Sequence, residues 1–383
     1  MSETSLPIRL SMVAGEASGD LLAALLLMGL QKCGSEFVAS GIGGPRMAEQ
    51  GFEAWWPHHK LAVRGYAEVL RHYREIVGIR RQLRARLLAD PPSMFIGVDA
   101  PDFNLDLAHD LKAAGIPTVQ FVCPSIWAWR PERVEKIARS VNHVLCLFPF
   151  EPDLLKPHGI AATYVGHPLA SVIPMRPDRA AARRDLGLRE DAPVLAVLPG
   201  SRSSEIKYLA MRFLQAARLL AQRHPDLQVV LPVAGGLRAQ VEEALMQAGS
   251  VPGLRLIDGQ SHTALSACDL TLVASGTATL EAALFKRPMV IAYNMHPVSW
   301  WLMRGKRLQP WVGLPNILAG EFLVPEFLQD QATPQALADA LHEWLMQPQK
   351  AAQLQQRFEA MHQSLSRDTS QCCADAIEKI LAR

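Results

Sequence analysis

The chain has 383 residues, a formal net charge of +2, 49% hydrophobic and 20% charged residues, a size that predicts two hydrophobic cores and a balance that gives nucleic acid no footing. Six cysteines at 33, 123, 146, 268, 372 and 373 form no C-x-x-C pair and have no histidine at ligand spacing, which argues against a zinc site or a disulfide scaffold and fits a reducing cytoplasm. With neither a basic start leading into an apolar h-region nor eighteen apolar residues in a row, the expectation is a protein that is neither secreted nor membrane-spanning.

In chain order, IRLSMVA at 8–14 reads as a buried strand, GEASGD at 15–20 as a turn, and the Ala- and Leu-rich run after it as a helix. Ser18 or Asp20 either caps that helix or serves a site. Glu16 stands at the carboxyl end of a first strand, where open α/β sheets bind ligands. FVASGIGGPRM repeats strand and turn, with three glycines between 41 and 44 that either bring backbone close to a ligand or pack a tight turn. Residues 66–90 have a helical period, with apolar positions at 66, 69, 70, 73, 76, 77, 83 and 87 and six arginines against three acids. Two readings fit: a crossover helix with a solvated arginine face, or a helix docked on an anionic membrane surface through Tyr66, Val69, Leu70, Tyr73, Arg80, Arg81 and Arg84.

A strand at 94–98 leads to Asp99, which precedes Ala-Pro and lies where a central strand opens onto a cleft. It is a candidate general base, or a carboxylate bonded to turn amides. Asp102 and Asn104 read as helix caps. PTVQFVCPSIWAW, HVLCLF and TYVGHPL add strands. The Pro-, Arg- and Asp-rich stretch SVIPMRPDRAAARRDLGLREDAP reads as a connection between domains spanning 1–175 and 190–345, with a helical tail at 346–383.

The same grammar then restarts in VLAVLPG, QVVLPVA, LRLIDG, LTLVAS and PMVIAYN, predicting two doubly wound parallel sheets. In LAVLPGSRSSE and VASGTATLEAAL an aliphatic strand runs through a glycine turn into a helix start. Gly200 and Gly276 permit close backbone approach, and Ser201, Ser275, Thr277 and Thr279 set hydroxyls beside unpaired helix N–H groups, the makings of a phosphate cradle. Neither stretch is a Walker A loop or a G-x-G-x-x-G fingerprint. Each carries an extra group, Arg202 to neutralise a diphosphate and Glu281 to accept hydrogen bonds from ribose hydroxyls. Residues 296–320 mix three tryptophans with Arg304, Lys306 and Arg307, suiting a membrane interface, a lipid groove or domain packing. Asn316 either positions a ligand or holds a turn.

The ordered set GEASGD, GIGGP, VDAPDFN, PSIWAWR, LPGSR, SGTATLEAAL and LPNILAG resembles the lipid-A-disaccharide synthases, from about Ile8 to Gly320 and more loosely beyond. The resemblance implies the GT-B architecture of two facing Rossmann-like domains with the active site between them. It implies inverting transfer of 2,3-diacylglucosamine from a UDP donor to 2,3-diacylglucosamine 1-phosphate, through a β-1,6 bond and with release of UDP, in lipopolysaccharide assembly. It also implies a peripheral position on the inner face of the cytoplasmic membrane, and a homodimer exchanging C-terminal elements. In LAVRGYAEVL, Ala62 and Arg64 depart from the serine and apolar residue expected there. Inversion calls for a base, Asp99 with Glu16 as rival, and for charge compensation of the leaving UDP. No Asp-x-Asp metal motif occurs, so no metal or other cofactor is expected, and Arg202 with the turn amides and hydroxyls takes that part. Asn316 then orients the donor. Alternatives that use the same cradle are another UDP-sugar transferase, an epimerase, or a silent membrane-docking UDP-sugar sensor.

Overall fold

The computed structural model describes residues 7–61, 66–305 and 307–382, without the side chains of 66–72, 298 and 302–304. Ala62, Arg64 and Lys306, and the side chains of Tyr66, Val69, Leu70 and Arg304, lie outside the described residues. The chain divides into two compact units, one formed by the chain up to Pro168 with the segment from Leu365 onward, the other by Leu169–Ser364.

The first unit is built on a seven-stranded parallel sheet. In chain order its strands are β1 (Ile8–Ala14), β2 (Phe37–Gly43), β3 (Glu53–Pro57), β4 (Met94–Val98), β5 (Thr118–Phe121), β6 (His143–Cys146) and β7 (Ala161–Tyr164). Their spatial order is β3-β2-β1-β4-β5-β6-β7. The strands β1 and β4 pair from Leu10↔Met94 to Ala14↔Val98, and β4 is buried along its whole length. Helices cover both faces of such a sheet, so its strands are continuously apolar rather than alternating. Side-chain period still sorts them: Met94, Ile96 and Val98 join one core and Phe95 the other. The first core takes the helices Ala17–Lys32 and Thr369–Leu381, the second Tyr66–Ala89 and Pro101–Ala113. The C-terminal helix thus packs back on the first unit through Cys373, Ala374 and Ile377. It lies so close that a Cβ on Gly29 would stand 2.1 Å from the Ser370 carbonyl oxygen.

The second unit repeats the design with β8 (Val194–Leu198), β9 (Gln228–Val233), β10 (Leu254–Asp258), β11 (Leu270–Ala274), β12 (Met289–Tyr293) and β13 (Glu326–Leu328). All are parallel, in the order β10-β9-β8-β11-β12-β13. In both sheets the order reverses between the first and fourth strands, which places a crevice at their carboxyl ends.

The stretch read as an interdomain connection is a folded part of the second unit, with helices Pro168–Val172 and Arg179–Asp185. Arg183 is buried there. It donates to the carbonyls of Ala267 at 3.0 Å and Ala192 at 3.0 Å and pairs with Asp269 at 2.7 Å. Arg183 satisfies carbonyls just before the central strands β8 and β11, a role that periodicity does not reveal.

Candidate functional site

In the second unit, the carboxyl ends of β8 and β11 open onto a cavity of about 350 Å³ lined by Gly200, Ser201, Arg202, Ser275, Gly276, Thr277 and Glu281. Two helices begin at its wall, Ser203–Arg223 and Thr277–Leu284, and their first-turn amides and dipoles favour an anion. Gly276 is the N-cap residue of the second and is exposed with Thr277. Gly200 has φ +127°, and a Cβ on it would meet the Glu205 side chain at 2.4 Å.

That contact shows a residue the motif reading passed over. The Glu205 carboxylate accepts from the Ser201 amide at 2.8 Å and the Arg202 amide at 3.2 Å, and pairs with the Arg202 guanidinium at 2.9 Å. Donors expected to be open to a phosphate are therefore held by an internal carboxylate. The signal was present in the sequence, because a glutamate three residues after an N-cap is the capping-box spacing.

The hydroxyls divide. Ser275 lines the cavity but donates to the Val312 carbonyl at 2.8 Å. Thr279 is buried, donating to the Gly276 carbonyl at 2.7 Å and accepting from the Leu314 amide at 3.1 Å. Both brace the turn, against the expectation of direct contact, while Ser201 and Thr277 are exposed at the cavity. Glu281 lies 3.6 Å from the imidazole of His262; its carboxylate raises the His262 pKa, outweighing the opposing effect of burial.

Asn316, expected to orient the donor, is fully buried and is not in this cavity wall. Its Nδ2 donates to the Val324 carbonyl at 2.9 Å and to Glu326 at 2.8 Å, and its Oδ1 accepts from the amides of Leu323 at 2.8 Å and Val324 at 3.0 Å. With four bonds made inside the protein, it fastens the loop before β13.

In the first unit, Asp99 and Glu16 line one cavity of about 500 Å³ with Gly15, Leu61, Tyr73 and Phe103. Burial first, then the Glu16 carboxylate, push the Asp99 carboxyl above the usual range, against a smaller opposing hydrogen bond from the Ala100 amide. The chain leaves β4 in left-handed geometry, φ +52° at Asp99 and +40° at Ala100. Non-glycine residues pay roughly 1–3 kcal/mol each for this, and the surroundings must hold them there. Two buried amides do so: Nδ2 of Asn104 and Nε2 of Gln120 donate to the Asp99 carbonyl at 2.8 and 3.0 Å. Asn104, read as a helix cap, thus anchors the turn that aims Asp99. Asp102 pairs with Arg133 at 2.6 Å.

Asp20 caps a helix other than its own. It accepts from the amides of Gly44 at 2.9 Å, Arg46 at 3.0 Å and Met47 at 3.1 Å, at the start of the helix Pro45–Ala48. The Gly41–Gly44 run is there explained by packing, since a Cβ on Gly44 would strike Asp20 at 2.5 Å. Two of the three arginines proposed for a membrane face have carboxylate partners. Arg80 pairs with Asp106 and Arg84 with Asp110, each at 2.6 Å, while Tyr73 is exposed. Among the described residues, no group of three His, Cys, Asp or Glu side chains is arranged to hold a metal ion, and no helix is long and apolar enough to cross a membrane.

A family model described as lipid-A-disaccharide synthetase matches residues 10–379. The lipid-A-disaccharide synthase of Albidiferax ferrireducens is 62% identical over 385 residues, covering 99% of each chain. That of Verminephrobacter eiseniae is 62% identical over 381 residues, covering 98% of each. Among solved structures, the calicheamicin glycosyltransferase superposes with a TM-score of 0.62 at 15% identity over 99% of each chain, a likeness of fold, the two-domain GT-B architecture.

Proposed function

The chain belongs to the lipid-A-disaccharide synthase family, which makes it a UDP-sugar glycosyltransferase of lipid A biosynthesis, and on that premise we infer the substrates and the roles of its residues. The donor is UDP-2,3-diacylglucosamine, the acceptor 2,3-diacylglucosamine 1-phosphate, and the product a β-1,6-linked disaccharide 1-phosphate. The second unit holds the UDP moiety, with Glu281 on the ribose and Ser201, Arg202, Gly276 and Thr277 around the diphosphate. The first unit receives the acceptor. Asp99 takes the proton of the acceptor 6-hydroxyl as its oxygen attacks the anomeric carbon, the bond from that carbon to the diphosphate oxygen breaks, and UDP leaves on the opposite face.

The observation that carries this reading is the cavity at the ends of β8 and β11, where a guanidinium, helix-start amides and a carboxylate converge. Charge growing on the leaving oxygens is met by donors fixed beforehand, each worth roughly 2–4 kcal/mol in such sites. No metal is assigned a role, and Glu205 must yield its donors as the diphosphate arrives. Peripheral attachment to the cytoplasmic face of the inner membrane is part of the proposal, supported by the exposed side chains of Tyr73, Trp301, Leu308 and Phe322. So is a homodimer exchanging C-terminal helices, in which the contact of Thr369–Leu381 on Ala17–Lys32 would be remade between chains; light scattering tests it. The decisive assay measures UDP release in the presence of chelator with donor and acceptor together and each alone. Release that needs both supports the reading, and release without acceptor, or none with both, defeats it.

A further inference from the structure

Beside the Asp99 cavity lies a larger one, about 630 Å³, between the helices Tyr66–Ala89, Pro101–Ala113 and Arg133–Ser140. It is lined by Arg80, Arg81, Arg84, Lys136 and Arg139, five cations against the carboxylates of Asp106 and Asp110. The acids are already engaged: Asp106 takes Arg80 and Lys136, and Asp110 takes Arg84. Arg81 and Arg139 are exposed, and among the described residues neither has a carboxylate partner; Arg139 spends only its Nε, on the Glu135 carbonyl at 3.3 Å. Val77, Arg80 and Asp106 line both cavities, so the basic one shares a wall with the one that holds Asp99.

We propose that this basic cavity is a phosphomonoester subsite, in which Arg81 and Arg139 grip the 1-phosphate of the acceptor while its hydroxyl lies at Asp99. The inference rests on the function proposed above and names the acceptor contact that function leaves open. Paired guanidinium forks suit a phosphate because each donates two parallel hydrogen bonds to its oxygens. Net positive charge remains after the two acids are counted, as a dianion requires. Concavity matters too, since cations around the mouth of a cavity between three helices match a single phosphate better than the flat plane of lipid headgroups. An anionic headgroup shares the chemistry, however, and the experiment separates the two sources.

The full-length enzyme is compared with the double variant Arg81→Ala/Arg139→Ala and with Arg81→Lys/Arg139→Lys. Initial rates are measured with the 1-phosphorylated acceptor and with the same diacylglucosamine lacking the phosphate; binding to phosphatidylglycerol vesicles and to inorganic phosphate is measured in parallel. The alanine pair should raise KM for the phosphorylated acceptor at least tenfold and abolish the heat of phosphate binding. It should leave kcat, donor KM, KM for the unphosphorylated acceptor and vesicle binding within twofold, and the lysine pair should recover most of the loss. Equal loss with both acceptors, an unchanged KM, or lost vesicle binding with normal KM would overturn the proposal. A wild type that binds phosphate through these arginines but transfers no sugar would defeat the proposed function while leaving the anion subsite in place.

Discussion

Replacing Asn316 with alanine separates a ligand contact from an internal brace. The amide makes four bonds in a site without solvent, to Val324 O, Glu326, Leu323 N and Val324 N. Truncation strands the Val324 amide and carbonyl; the Leu323 amide keeps the Glu321 carbonyl at 3.1 Å, and the Glu326 carboxylate retains the Val312 and Gly313 amides, both at 2.8 Å. A buried polar group left unpaired costs about 1–3 kcal/mol, and partial entry of water lowers the sum for the two, so about 2–4 kcal/mol is expected. For a unit of this size that corresponds to a fall of roughly 4–16 °C in its melting temperature. Calorimetry reads the fall, and hydrogen exchange at Val324 locates it, because that amide loses its acceptor. If stability and exchange stay at wild-type levels while affinity for the UDP-sugar collapses, Asn316 reaches the ligand and the bracing argument is wrong.

Asp99→Asn should lower turnover by roughly 10²–10⁴-fold, the usual contribution of a general base, with UDP affinity kept. Burial and the Glu16 carboxylate raise the Asp99 pKa, so the rate should fall with decreasing pH at values above the ordinary aspartate range, and Glu16→Gln should move that limb to lower pH. The same shift means that the folded state holds this proton more tightly than the unfolded chain, so stability is lost as pH rises from the ordinary to the raised pKa; Asp99→Asn should accordingly melt higher at neutral pH. A near-normal rate would assign the base elsewhere. Glu205→Ala releases the Ser201 and Arg202 amides and the Arg202 guanidinium. UDP should then bind several-fold tighter in calorimetry, at a cost of about 1 kcal/mol in helix capping; unchanged or weaker binding would place the diphosphate away from this turn.

Sequence alone determined the architecture and the place of chemistry along the chain. A parallel strand covered on both faces must be apolar throughout, so runs such as LAVLP and LTLVA declare themselves, and the strands at 8–14 and 94–98 form over those residues. Glycine, hydroxyl and charge at the end of such a run mark a strand-to-helix turn, which is why Arg202, Gly276 and Glu281 are legible in the sequence as one cradle, and they do line one cavity.

Only the tertiary structure decided who bonds to whom. Asn316, Asp20 and Arg183 are polar letters whose partners lie on other elements, and neither periodicity nor composition says whether a polar side chain turns to a ligand or to a backbone amide. The bonds of Ser275 and Thr279 to backbone carbonyls are of that kind, and so is the role of Gln120, which holds the Asp99 turn across two strands. Burial obliges every polar group to find a partner, but the choice among partners is settled by three-dimensional proximity, which the order of residues along one strand or helix does not contain.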